Sequence, residues 1–196
     1  MKKLLTASAL VIASISLAGC TINLGSPDKD DSGMMGENGM MGNKTVGSSS
    51  FSGADIMFAQ MMIPHHQQAV VMSGFADAKT TDTDILHIAS LIKGAQEPEI
   101  TQMKGWLTAS GTTLMDHDMV MDGMLTDAEM TELEASTGTE FEKLYLAGMI
   151  KHHQGAIDML SMISSSTNPE VVTLRENIRK TQTAEIKQMQ DLLKKY

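Results

Sequence analysis

Met62-Ile63-Pro64-His65-His66-Gln67-Gln68-Ala69-Val70-Val71-Met72 returns 87 positions later as Met149-Ile150-Lys151-His152-His153-Gln154-Gly155-Ala156-Ile157-Asp158-Met159. The two stretches share Met, Ile, both histidines, the first Gln, Ala and the closing Met. Upstream, Asp55 and Phe58 find conservative partners in Glu142 and Tyr145. Downstream, Gln96-Glu97-Pro98-Glu99-Ile100-Thr101-Gln102-Met103 is matched, at an offset of 86, by Gln182-Thr183-Ala184-Glu185-Ile186-Lys187-Gln188-Met189. Each half is thus a helix bearing His-His followed by a helix bearing Gln-x-x-Glu-Ile-x-Gln-Met. Apolar residues recur at helical spacing, and no alternating strand pattern competes. Two antiparallel hairpins that cannot bury their apolar faces alone are expected to pair into an all-α four-helix bundle.

Start and stop signals set the expected limits. Ser52 and Asp55 read as an N-cap and first-turn acid for a helix over 53–78. A second helix is expected over 82–110, with Gly111 as its stop signal. A Met- and Asp-rich connector, Met115 to Met124, leads to a short helix near 126–136. Thr126-x-x-Glu129 and Thr137-x-x-Glu140 both read as capping boxes. A third long helix is expected over 139–165. Asn168-Pro169 then supplies the N-cap and first-position proline of a fourth, running to the C-terminus. Pro64 and Pro98 fall inside helices, where each removes an amide hydrogen bond; Lys151 replaces Pro64 in the second copy, so the halves are not chemically equivalent.

At about 100° per residue, Phe58, Met61, Met62, His65, Ala69, Met72 and Ala76 share one stripe. Tyr145, Gly148, Met149, His152, Ala156 and Met159 share its counterpart. His65 and His152 therefore point to the bundle interior, with His66 and His153 on a flank about 100° away. Four of the six histidines stand in two matched pairs, each with a methionine three and four residues before it, Met62 or Met149. Thioether plus imidazole is a soft ligand set suited to copper, while histidine and carboxylate leave zinc or another divalent metal open. Glu99 with Met103, and Glu185 with Met189, are i,i+4 pairs able to face the same site as ligands or as hydrogen-bond partners of the imidazoles. Met72 and Met159 stand near enough to join them. Packing alone explains any one of these methionines. It gives no reason for a buried imidazole to recur in both halves, since leaving one unpaired costs about 1–3 kcal/mol.

The N-terminus carries a separate message. Met1-Lys2-Lys3 followed by the apolar stretch Leu4 to Leu17 has the form of a secretory signal peptide over 1–19. It ends in Leu17-Ala18-Gly19-Cys20, the pattern of a bacterial lipobox, which makes Cys20 the expected site of lipidation and the protein an exported, membrane-anchored one. Thr21 stands where an inner-membrane retention Asp would, which favours the outer membrane in a Gram-negative cell. Cys20 is the single cysteine, so an intramolecular disulfide and cysteine-based zinc or redox chemistry are excluded. Residues 20–52, rich in Gly, Ser, Asp, Asn and Met, read as a flexible tether. Within it, Met34, Met35, Met40 and Met41 have no core to fill and form a candidate auxiliary cluster for Cu(I) or Ag(I). The remaining 53–196 suits one core, with repeats over 53–110 and 139–196.

The formal net charge is −9 and the chain is poor in aromatic residues, which argues against nucleic-acid binding and suits cation capture. Catalytic signatures are missing. There is no Gly-x-Ser-x-Gly elbow and no His-Glu-x-x-His zinc motif. Di-iron bundles need Glu-x-x-His on two helices; the nearest approach is Asp84-x-x-His87, once. His87 reads as structural or surface, and His117 in the connector as a weak auxiliary ligand.

The doubled Met-Ile-x-His-His-Gln-x-Ala, the Gln-x-x-Glu-Ile-x-Gln-Met repeats and Gly123-Met124-Leu125-Thr126-x-x-Glu129-Met130-x-x-Leu133 together resemble the DUF305 family, over about Gly53 to Tyr196. That resemblance implies a ferritin-like helical bundle, and for some members export and copper binding or tolerance. It places metal on His65, His66, His152 and His153, with Met62 and Met149 nearby. Three functions follow for testing: an extracytoplasmic copper-binding or buffering protein with a copper-transfer partner, a metal-free envelope interaction protein with structural histidines, and a ferritin-like metal oxidase. The first is favoured, with no enzymatic activity expected.

Overall fold

The computed structural model describes residues 50–115 and 121–196. Among these there are five α-helices and no strand. The signal peptide, Cys20, the methionine cluster of the tether and His117 lie outside the described residues.

Helix α1 spans Gly53–Lys79. Its Ser52 cap forms the expected box: Asp55 N donates to Ser52 Oγ at 3.1 Å, and Ser52 N donates to Asp55 Oδ2 at 2.8 Å. Helix α2, Thr83–Ala109, starts on Asp82, whose carboxylate accepts from two first-turn amides. The short α3, Asp127–Ala135, carries the Thr126–Glu129 capping box. Helix α4 spans Gly138–Met159, and α5, Pro169–Leu193, begins on the Asn168 cap with proline in its first turn. Pro64 and Pro98 both lie within continuous helices.

Two expectations fail locally. The Thr137–Glu140 capping box does not form, and α4 starts without a side-chain cap. Gly138 takes φ +57°, and this left-handed turn swings Thr137 away from the first amides. The third long helix also stops short of Ser165. It tightens into a 3-10 turn over Leu160–Ile163, where Ser161 Oγ and Ser164 Oγ donate to carbonyls three residues back and compete with the α-helical ladder. Residues before the first helix also pack on the bundle: Phe51 meets the Trp106 ring at 5.2 Å, and Asn168 Nδ2 donates to Ser50 O at 3.0 Å.

Helices α1 and α2 form one hairpin, α4 and α5 the other; α1 meets α4, and α2 meets α5 over a narrower seam. The apolar core comes in two blocks. One gathers Phe58, Met62, Ile63, Met103, Trp106, Met159, Leu160, Leu174 and Ile178. The other gathers Met72, Ile85, Ile88, Ile92, Phe141, Tyr145, Met149 and Met189. Along every long helix the polar members of the repeat, His65-His66, Gln96 with Glu99, His152-His153 and Gln182 with Glu185, fall between the two blocks. The bundle is thus cut across its middle by one buried polar layer.

The connector straps the α1–α4 face of that layer. Leu125 N donates to Gln68 Oε1 and Gln68 Nε2 donates to Leu125 O, at 2.8 and 2.9 Å. Gly123, at φ +82°, lies flat on α4: a Cβ there would stand 2.7 Å from Lys151 O. Gly155 is its complement, since a Cβ on it would reach 2.1 Å from Asp122 O. The first copy has Gln68 at this position, and there the side chain clamps the strap instead of making room for it.

Candidate metal centre

His65, His66, His152 and His153 are all fully buried. The sequence places two of them inward and two on a flank; in the structure each flank is covered by the partner helix of its own hairpin. His66 Nε2 lies 2.8 Å from Glu99 Oε2, and His153 Nε2 lies 2.8 Å from Glu185 Oε2. The within-pair ring distances repeat equally closely, at 6.3 Å in both halves. Sequence duplication has become a near-twofold arrangement of side chains.

The inner pair departs from that symmetry. His152 Nε2 donates to His65 O at 2.8 Å, while His65 Nε2 donates to Asp122 O of the strap at 3.2 Å. A carbonyl oxygen only accepts, so in both rings Nε2 carries the proton and Nδ1 keeps a bare lone pair. With Glu99 and Glu185 as acceptors the outer rings adopt the same tautomer. All four Nδ1 atoms are buried and lack a hydrogen-bond partner.

Burial also fixes the charge. It lowers His65 and His66 from 6.5 to about 3, each further depressed by a neighbouring histidine. His152 is held well below 6.5 by burial and then by His65. Glu99 moves the other way, up to about 7, through burial and then the nearby charge of Glu185. At neutral pH His65, His66 and His152 are therefore neutral imidazoles, the form that binds metal.

A histidine that ligates a metal commonly donates its other ring N–H to a carboxylate or carbonyl, which fixes the ring; here Nε2–H is so anchored and Nδ1 is left open. The thioethers flank the layer on both sides. Met62, Met103 and Met159 are buried in the first apolar block, Met72, Met149 and Met189 in the second. Among the described residues, no three His, Cys, Asp or Glu side chains converge closely enough to hold a metal by themselves. A cation held here would draw on sulfur as well, which fits a soft ion better than a hard one. Glu99 and Glu185 orient the imidazoles, and His87 is exposed, as expected.

Two members of the layer were not singled out from sequence as site residues. Gln96 and Gln182 are buried at 1% and 2% exposure, and neither the oxygen nor the nitrogen of either amide has a hydrogen-bond partner. Their signal lay in the repeat itself, three residues before each glutamate. Asp122 O, a main-chain group in a connector, left no trace in side-chain patterns.

Residues 55–193 match the family described as "Domain of unknown function (DUF305)". No curated protein matches the chain. Among solved structures, a DUF305 protein of Streptomyces coelicolor described as secreted is 34% identical, with a TM-score of 0.68 over 72% of this chain and 93% of its own. A DUF305 fragment from Deinococcus radiodurans is 28% identical, with a TM-score of 0.69 over 74% and 98%. CopM in a Cu(I)-bound form is 31% identical, with a TM-score of 0.63 over 72% and 96%. CopM is also similar in Ag-bound and Cu(II)-bound forms.

Proposed function

Because the chain belongs to the DUF305 family, we propose that it is an extracytoplasmic copper-binding protein that holds Cu(I) in the polar layer of its bundle and performs no catalysis. The observation carrying this reading is the set of four buried, unpartnered Nδ1 atoms on imidazoles whose Nε2 atoms are already anchored. Leaving four such acceptors unsatisfied is costly in a metal-free protein. His65, His66, His152 and His153 would supply nitrogen, and Met62 and Met149 sulfur. Met103, Met189, Met72 and Met159 would line the same layer, with Glu99 and Glu185 holding the outer rings. The similarity to CopM, solved with copper and with silver, supports copper as the ion.

In this reading Cys20 is lipidated and anchors the domain to the envelope, while Met34, Met35, Met40 and Met41 in the tether capture metal on its way to the bundle. Copper is buffered and passed to a transfer partner. A second reading has one observation in its favour: the His66–Glu99 and His153–Glu185 bonds at 2.8 Å would organise a metal-free polar core. It leaves the Nδ1 atoms without a role.

Cu(I) competition titration under reducing conditions, with Zn(II) as control, separates the two. Met62→Leu with Met149→Leu keeps core volume and removes the sulfur. The expected result is at least about tenfold weaker Cu(I) binding, equivalent to about 1.4 kcal/mol, with helicity intact. Replacing all four histidines should abolish Cu(I) binding. Unchanged binding in both variants would leave the metal outside the layer, and no binding in the parent would favour the structural reading.

A further inference from the structure

We propose that metal reaches the histidine layer between α2 and α5, past Glu185 and the buried amides of Gln96 and Gln182. The inference rests on the metal-binding reading and adds the route, which that reading leaves open.

The layer has four sides and two apolar ends. The ends are the two core blocks, in which the largest side chains are fully buried. On the α1–α4 side, Asp122 O takes the His65 proton donor, Gly123 lies against the α4 backbone and Gln68 locks Leu125. On the two hairpin sides, His66 meets Glu99 and His153 meets Glu185. The remaining side is the narrow α2–α5 seam. A surface groove of about 410 Å³ lies there, with Leu91 and Ala95 on one wall and Ala184 and Gln188 on the other. Glu185 lines it as well, and the same carboxylate holds His153 Nε2 on its inner side. A larger groove near Val71 and Lys104 is lined by no member of the layer.

The groove thus ends on a residue that belongs to the buried layer. Two walls built from Ala95 and Ala184 leave the seam thin. Behind it, the residue following Ala95 is Gln96, and Gln182 stands one turn before Glu185. Their amide oxygens are unpartnered acceptors, like the four imidazole Nδ1 atoms of the layer. A nearly buried carboxylate at the floor of the groove, two free amide oxygens behind it and four bare imidazole nitrogens beyond form a graded series, from hard oxygen to softer nitrogen. A cation passing inward exchanges water for oxygen and then oxygen for nitrogen. Lys180 lies at the rim and opposes cations, so its charge tunes the rate of admission.

The test is kinetic. Cu(I) is supplied to the full chain as its coloured bicinchoninate complex, and uptake is followed by loss of colour. Release from the loaded protein is followed by adding excess chelator. Ala184→Trp fills the groove from an exposed position, and Thr183→Trp, exposed on the same helix but outside the groove, is the control. Ala184→Trp should slow uptake and release by the same factor, roughly tenfold or more, and leave the equilibrium affinity unaltered. Thr183→Trp should match the parent. Parent-like rates in Ala184→Trp would overturn the route while leaving copper binding intact. Slower uptake with a matching loss of affinity would overturn it too, since that marks damage to the ligands. A parent protein that takes up no Cu(I) would remove the binding reading and the route together.

Discussion

The imidazoles of His65 and His152 face one another across the centre of the bundle, with ring centroids 3.8 Å apart and planes inclined by 40°. Two cations could not occupy that geometry, and burial keeps both rings neutral. His152 also donates to His65 O, so the contact ties α4 to α1 where the two halves meet. His152→Ala would remove a fully buried ring and its hydrogen bond together. The expected loss is about 2–4 kcal/mol in urea denaturation of the metal-free protein. His87→Ala, on the exposed face of α2, should stay within about 0.5 kcal/mol. A cost below that bound for His152→Ala would mean the ring pair holds nothing together.

The depressed imidazoles make stability depend on pH. Between pH 6.5 and about 3 the unfolded chain binds protons at His65, His66 and His152 that the folded domain refuses. Their contribution is complete above pH 6.5 and is lost as pH falls. Glu99 acts in the opposite sense. With its folded pKa at about 7, the folded domain keeps a proton between pH 7 and 4.5 that the unfolded chain has released, and this contribution grows as pH falls. Three imidazoles outweigh one carboxyl. Stability of the metal-free protein should decline from pH 6 to 4.5 by at most about 2.7 kcal/mol per pH unit, two protons' worth. Urea midpoints at pH 7, 6 and 5 measure it, and a flat profile would show that the histidines titrate normally.

The repeat made the hairpins, the caps at Ser52, Thr126 and Asn168 and the pairing of histidine with glutamate legible, because each rests on local spacing. His66 and His153 were harder to place. A helical wheel knows only one apolar stripe, whereas a helix in this bundle is covered by a hairpin partner on one flank and by the other hairpin on the next. The strap was out of reach for a different reason. Its contacts run from Asp122 O to His65 and from Gly123 to Gly155, which are main-chain groups and missing side chains. Gln96 and Gln182 were in plain view, but amides in a helix usually face water, and only their burial gives them meaning.

The duplication also contains an experiment already half done. Tyr145 hydroxyl lies 3.1 Å from Ser73 Oγ across α4 and α1, and the equivalent positions of the other half hold Phe58 and Leu160, an apolar pair. Tyr145→Phe alone would strand the Ser73 hydroxyl in the core and cost about 1–2 kcal/mol. Tyr145→Phe with Ser73→Ala removes both partners and should come within about 0.5 kcal/mol of the parent. Additive losses in the double-mutant cycle would show that the two hydroxyls do not interact.

Glycines on α2 and α4 should respond in opposite ways to the same substitution. Gly94 lies inside α2 with nothing within 4 Å of a would-be Cβ. There alanine removes freedom from the unfolded chain and improves the helix, so Gly94→Ala should stabilise by about 0.4–1 kcal/mol. At Gly155 the Cβ would meet Asp122 O at 2.1 Å and Gly123 Cα at 2.7 Å, both main-chain atoms that cannot rotate aside. Gly155→Ala must push the strap off α4, and Asp122 O then leaves His65 Nε2. The intrinsic gain of alanine is offset by a clash of about 1–3 kcal/mol, giving net destabilisation. Amide hydrogen exchange reports the cause directly. Leu125 N, bonded to Gln68 in the parent, should lose protection in Gly155→Ala and keep it in Gly94→Ala. If both substitutions stabilise the protein equally, the strap is not seated on α4.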